Sequence, residues 1–176
     1  KVYACKLGEA FEFDAIGLQT PQVPKYYDAK GKHSPYWSGT TLGSVAIGYS
    51  INETPLHILT FYNAIANKGK MMKPYLVKAL ADHGKVVRRF SQEVLEASIC
   101  SRSTVAKVRQ VLEGVVNNGT ASNLRNADYS IAGKTGTAQI AHANRGYRQG
   151  NEVQYQASFV GYFPADAPRY SCIVVV

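Results

Sequence analysis

The 176-residue sequence predicts an α+β fold in which helices pack on an antiparallel sheet. Three observations predict it. Two segments carry apolar residues at helical spacing, each opening on a hydroxyl residue and closing near a glycine. After Gly119 the pattern switches to period two and to β-favouring residues. The last two strands predicted there are joined by a short loop between Pro164 and Pro168, a spacing that suits antiparallel neighbours.

Residues 1–53 are rich in Gly, Pro, Tyr and Thr, show little periodicity, and read as a loop-rich segment. The first helix starts at Thr54, which caps it, with Pro55 in the first helical position. Ile58, Leu59, Tyr62, Ile65 and Ala66 form its core stripe, and Gly69 stops it. "YLVKALADHGKVVRRF" reads as two short strands around a turn at Asp82-His83-Gly84-Lys85, with His83 a turn residue. The second helix runs from about Thr104 to Val116, capped by Ser103, with Val105, Val108, Leu112, Val115 and Val116 facing the core. Three strands follow: "YSIAGKTGTAQI", "QYQASFVGYFP" and "RYSCIVVV", the first two joined by the polar "AHANRGYRQGNE". The chain thus divides into 1–53 loop, 54–118 helices and hairpin, and 119–176 sheet.

Composition narrows the function. Hydrophobic residues at 45% and charged residues at 18% are globular proportions. No apolar run approaches the roughly 18–20 residues of a membrane span, and no signal peptide is visible. The first residue is Lys1 and the last run, "YSCIVVV", is strand-like with no turn after it, so we expect an excised fragment of a larger domain. The net charge of +8 comes from scattered Lys and Arg, with only short clusters such as Arg88-Arg89. That argues for a basic soluble surface and against nucleic acid, although a basic face also suits an anionic polymer or membrane surface. Cys5, Cys100 and Cys172 lack disulfide or CxxC spacing, and His33, His57, His83 and His142 lack ligand spacing. We expect no metal and no cofactor.

The residues that carry chemistry lie in "IAGKTGTAQI". A strand presenting Lys134 aims an ammonium into a groove, and Gly133 and Gly136 on either side bare the backbone for close approach by a ligand. Thr135 and Thr137 share one face by period two; Lys134 and Gly136 share the other. Hydroxyls beside a cation suit a carboxylate, and an open strand edge pairs with an extended peptide.

In order along the chain, "SVAIGYSINETPLHILTFYNAIANKG", "KPYLV", "VRQVLEGVVNNGTASN", "AGKTGTAQ" and "ASFVGYFPADAPRYSCIVVV" resemble the transpeptidase domain of class B, high-molecular-weight penicillin-binding proteins. The likeness runs from about Leu42 to the end and is weaker in "GEAFEFDAIGLQTPQVP". It implies part of a penicillin-binding/transpeptidase, beta-lactamase-like domain. It further implies a serine D,D-transpeptidase that cross-links peptidoglycan stem peptides through an acyl-enzyme and is acylated by beta-lactams. The parent protein would be anchored in the bacterial inner membrane, facing the periplasm. By the same resemblance, Lys134 holds positive charge near the nucleophile and the substrate carboxylate. Thr135, Gly136 and Thr137 bind substrate, Thr135 and Thr137 through hydrogen bonds to its carboxylate, and the Thr137 backbone N–H forms half of the oxyanion hole.

The rest of the site is not in the sequence. No Ser is followed three residues later by Lys. Thr104-Val-Ala-Lys107 comes nearest, but it lies on the second predicted helix with Lys107 expected in solvent. Ser50-Ile51-Asn52 matches Ser-x-Asn, a pattern expected about 0.6 times by chance in such a chain, and in the wrong segment for the family. The chain alone should therefore be inactive, and it should carry a surface meant to be buried, available for self-association. Two other readings stand beside this one: a non-catalytic beta-lactam sensor domain of similar fold, and an unrelated basic binding module.

Overall fold

A computed structural model describes residues 19–140 and 153–176. Cys5, His142 and the polar connection expected over 141–152 lie outside the described residues. By internal contacts the chain forms two compact units, residues 1–57 with 74–91, and residues 58–73 with 92–176.

In the first unit, residues 19–53 are mostly loop, with one departure from the sequence reading. A six-residue helix, α1 (Thr41–Ala46), interrupts the loop. Thr40 precedes it without a side-chain capping bond, so little in the sequence marks it. Elsewhere the loop is held by local polar pairs. Gln22 and Asn52 exchange backbone hydrogen bonds at 2.8 and 2.9 Å, which places Asn52 of the Ser-x-Asn pattern in a structural bridge. Tyr26 meets Tyr27, His33 and Trp37 edge-on, with ring centroids 4.7–5.5 Å apart. The predicted hairpin is present as β2 (Ala79–Asp82) and β3 (Lys85–Arg89), antiparallel. His83 and Gly84 both take positive φ, 44° and 78°, as the tight turn between twisted strands requires.

Glu53, in the same unit, has both carboxylate oxygens buried with no hydrogen-bond partner among the described residues. Desolvation pushes its pKa from 4.5 to about 7. A carboxyl raised on folding favours the folded state most below pH 4.5, and that contribution disappears as pH rises to about 7. Glu53→Gln should therefore raise the melting temperature at pH 8 and change it little at pH 4. Thermal melts at the two pH values check this; an equal shift at both contradicts it.

The second unit holds most of α2 (Pro55–Ala66). Thr54 caps the helix as expected: its Oγ1 accepts from the His57 N–H at 3.2 Å and also lies 2.6 Å from His57 Nδ1. The buried stripe is rotated from the predicted one and includes His57, Thr60, Ala64 and Ile65, while Ile58 and Leu59 are only half-buried. Gly69, at φ 93°, ends the turn by donating to Ala64 O at 2.7 Å. Two very short strands, β1 (Met71–Met72) and β4 (Val94–Glu96), then pair antiparallel; neither is long enough to show a period. The helix α3 (Arg102–Asn117) begins two residues before the predicted start. Ser101, not Ser103, is its cap, because Ser101 Oγ accepts from the Thr104 N–H at 3.1 Å. Val105, Leu112 and Val116 are buried as predicted, with Val108 and Val115 half-buried.

The sheet follows the predicted strands: β5 (Ala132–Gln139), β6 (Tyr155–Phe163) and β7 (Tyr170–Val175), antiparallel throughout in the order β5-β6-β7. Ala132 of β5 stands opposite Tyr162 of β6. Both are fully buried in one cluster with Ala64 and Ile65 of α2 and Leu112 of α3. The helices thus cover one sheet face, as the α+β prediction requires. A polar clamp holds the start of β5: Ser130 Oγ accepts from the Ala165 N–H and donates to Asp166 Oδ1, each at 3.0 Å. Those bonds, that from Ser130 first, draw the Asp166 pKa below its ordinary value. Arg109 of α3 donates to the Ala165 and Asp166 carbonyls at 2.6 and 3.3 Å.

Candidate active-site strand

β5 is an edge strand: among the described residues it pairs with β6 alone. Its hydrogen-bond phase follows from one bond. Ile140 donates to Gln154 O at 2.9 Å, and in an antiparallel ladder bonded and non-bonded pairs alternate. With Gln139 opposite Tyr155, the backbone groups of Ala138, Gly136, Lys134 and Ala132 face β6. Those of Gly133, Thr135, Thr137 and Gln139 face the open edge. The opposite side of β6 agrees, since Ala157 exchanges backbone bonds with Val176. The Thr137 N–H is therefore presented outward, where a ligand can accept from it.

Lys134 is exposed. Its side chain leaves the helix-covered face and bends to the margin, where Nζ donates to Thr135 O at 2.6 Å. That carbonyl is one of the open-edge acceptors, so the ammonium and the Thr137 N–H occupy the same margin of the sheet. Thr135 is half-buried and its Oγ1 lies 2.7 Å from Thr120 Oγ1; Thr137 is exposed. Thr120 was not among the predicted site residues. The signal that could have found it is its place directly after the glycine that follows α3.

Each of the two glycines also has a packing role that the sequence does not show. A Cβ on Gly133 would meet the Phe159 ring and come within 2.7 Å of Val160 O. Gly133 stands opposite Gly161 in the register, and the Phe159 ring fills the space both leave. Gly133 therefore serves sheet packing as well, while its N–H and C=O remain on the open edge. At Gly136 a Cβ would come within 2.5 Å of Ser158 Oγ, a hydroxyl on the neighbouring strand. The glycine there admits the serine.

A cation, two hydroxyls and an outward N–H thus stand along one strand, groups that can receive a carboxylate or a polarised carbonyl. Among the described residues no group of three or more His, Cys, Asp or Glu is placed to hold a metal, and no helix is long and apolar enough to cross a membrane.

The profile of the penicillin binding protein transpeptidase domain matches residues 11–176. The chain belongs to the penicillin-binding protein transpeptidase family. Within it the likeness is to class B enzymes, as the sequence motifs implied. Penicillin-binding protein 2A of Bacillus subtilis is 36% identical over 138 residues, 74% of this chain and 19% of that protein. Penicillin-binding protein 3 from Mycobacterium tuberculosis, complexed with aztreonam, superposes over 99% of this chain and 38% of its own, with a TM-score of 0.80 and 29% identity. The ceftriaxone acyl-enzyme of penicillin-binding protein A from Mycobacterium tuberculosis covers 81% of this chain and 31% of its own, at TM-score 0.69 and 26% identity. The chain spans about a fifth of the length of the curated relatives it matches.

Proposed function

We propose that this chain forms the Lys-Thr-Gly wall of the cleft of a serine D,D-transpeptidase. The enzyme cross-links peptidoglycan stem peptides through an acyl-enzyme and is acylated by beta-lactams. The observation that carries the reading is the convergence of the Lys134 ammonium and the outward Thr137 N–H on one open strand edge. A serine Oγ attacks the substrate carbonyl, its proton passes to a base, and negative charge develops on the carbonyl oxygen. The Thr137 N–H stabilises that oxyanion as one of its two donors. Thr135 and Thr137 hydroxyls, with Lys134, hold the carboxylate of the stem peptide or beta-lactam. The open edge accepts the extended peptide alongside β5.

Because no Ser-x-x-Lys occurs in these 176 residues, nucleophile and base are assigned to sequence outside them, and the chain alone neither acylates nor cross-links. The parent protein is assigned to the inner membrane, acting at its periplasmic face. Labelling the intact protein with a fluorescent penicillin, denaturing it and mapping the labelled peptide tests this. The acylated serine is expected outside residues 1–176. A covalent label on one of the serines within them overturns the reading, and an intact protein that takes no label at all is not a transpeptidase.

A further inference from the structure

A second site lies in the second unit, on a groove of about 740 Å³ built from three segments. These are the turn after α2, the residues just after β4, and the first half of α3. Four cations line it, Lys68, Lys70, Arg102 and Arg109, and no carboxylate does. Val105 and Ala106 of α3 supply the apolar part of its wall. Glu96, the acid adjoining the groove in sequence, accepts from the Ser98 N–H at 3.4 Å.

The frame is fixed before any ligand arrives. Ile99 donates to Gly69 O at 2.9 Å, and Asn67 Nδ2 donates to Lys70 O at 3.0 Å. A Cβ on Gly69 would come within 3.1 Å of Val105 Cγ2, so the glycine lets the Lys68–Lys70 turn close on α3. Arg109 is engaged with the Ala165 and Asp166 carbonyls. Lys68, Lys70 and Arg102 make no side-chain hydrogen bond or ion pair among the described residues. Three exposed cations without a partner among the described residues line this one groove, and an anion of matching charge offsets their mutual repulsion.

We propose that this groove binds a ligand carrying two or more closely spaced phosphate groups. A single carboxylate leaves most of the charge uncompensated, and the volume exceeds what one small ion fills. Arg102 offers a bidentate fork and the lysines point charges, the usual pairing for phosphate. Four of the chain's 20 Lys and Arg line this groove. The inference stands apart from the Lys134 edge and does not depend on it.

Calorimetric titration of the intact protein with inorganic tripolyphosphate tests it. Saturable one-to-one binding is expected, weakened about tenfold or more in the double variant Lys70→Gln, Arg102→Gln. A variant that removes the same charge elsewhere, Arg88→Gln with Arg89→Gln on the hairpin, should weaken binding less than about twofold. Thermal melts of both variants establish that they fold. Equal weakening by the two variants, heat that never saturates, or equally tight binding of citrate overturns the proposal. Co-sedimentation with phosphatidylglycerol vesicles, lost in the groove variant, identifies a lipid headgroup as the phosphate source. Tripolyphosphate binding without co-sedimentation identifies a soluble one.

Discussion

Replacing Lys134 by Ala in the intact protein is expected to slow beta-lactam acylation by about 10²–10⁴-fold. The ammonium is exposed at the sheet margin and its contact there is one backbone carbonyl, Thr135 O at 2.6 Å. Its removal therefore takes charge from the cleft while disturbing little packing. Thermal stability should stay within about 0.5 kcal/mol of wild type, as for other surface changes. Lys134→Arg keeps the charge but substitutes a planar fork for a point charge, and should restore the rate only in part. Stopped-flow acylation with a chromogenic cephalosporin measures all three. Wild-type kinetics in Lys134→Ala remove this residue from the chemistry.

The largest effect on stability is expected at Tyr162. Its side chain is fully buried between α2, α3 and β5. Burial pushes the hydroxyl pKa up, and the guanidinium of Arg109 opposes that push without meeting hydrogen-bond geometry. Truncation to Ala empties the centre of the cluster and should cost about 3–5 kcal/mol. In a chain of this size that lowers the melting temperature by on the order of 10 °C. Tyr162→Phe keeps the ring and removes a buried hydroxyl that lacks a partner among the described residues, so its cost should be under about 1 kcal/mol. Calorimetric melts distinguish the two. A loss of several kcal/mol in Tyr162→Phe contradicts this account of the core.

What was legible in the sequence was the part governed by near neighbours. Helix spacing from Ile58 to Ala66 and from Val105 to Val116, and alternation along "ASFVGYF", report residues a few positions apart, and α2, α3 and the three sheet strands appear where those patterns stand. Ser101 and Ser103 are equally good caps by composition, and only the bond to Thr104 decides between them. The β1–β4 pair is too short to carry a period. Roles set by distant partners could not be read. The packing role of Gly133 is hidden because Phe159, twenty-six positions away, is invisible to local pattern. Which edge of β5 stays open depends on strand order, and Thr120 reaches Thr135 only because α3 ends beside that strand. The Lys-Thr-Gly residues themselves stand out in the sequence because they lie together on one continuous strand.

The central claim is that the outward N–H of Thr137 receives the carbonyl oxygen of the acylating ligand. A crystal structure of the intact protein acylated by penicillin tests it most directly. The ester carbonyl oxygen is expected about 2.7–3.1 Å from Thr137 N, the range of an effective oxyanion donor, with the ligand carboxylate against the Thr135 and Thr137 hydroxyls. An acyl carbonyl turned away from β5, with Thr137 N bound to solvent or to another strand, contradicts it.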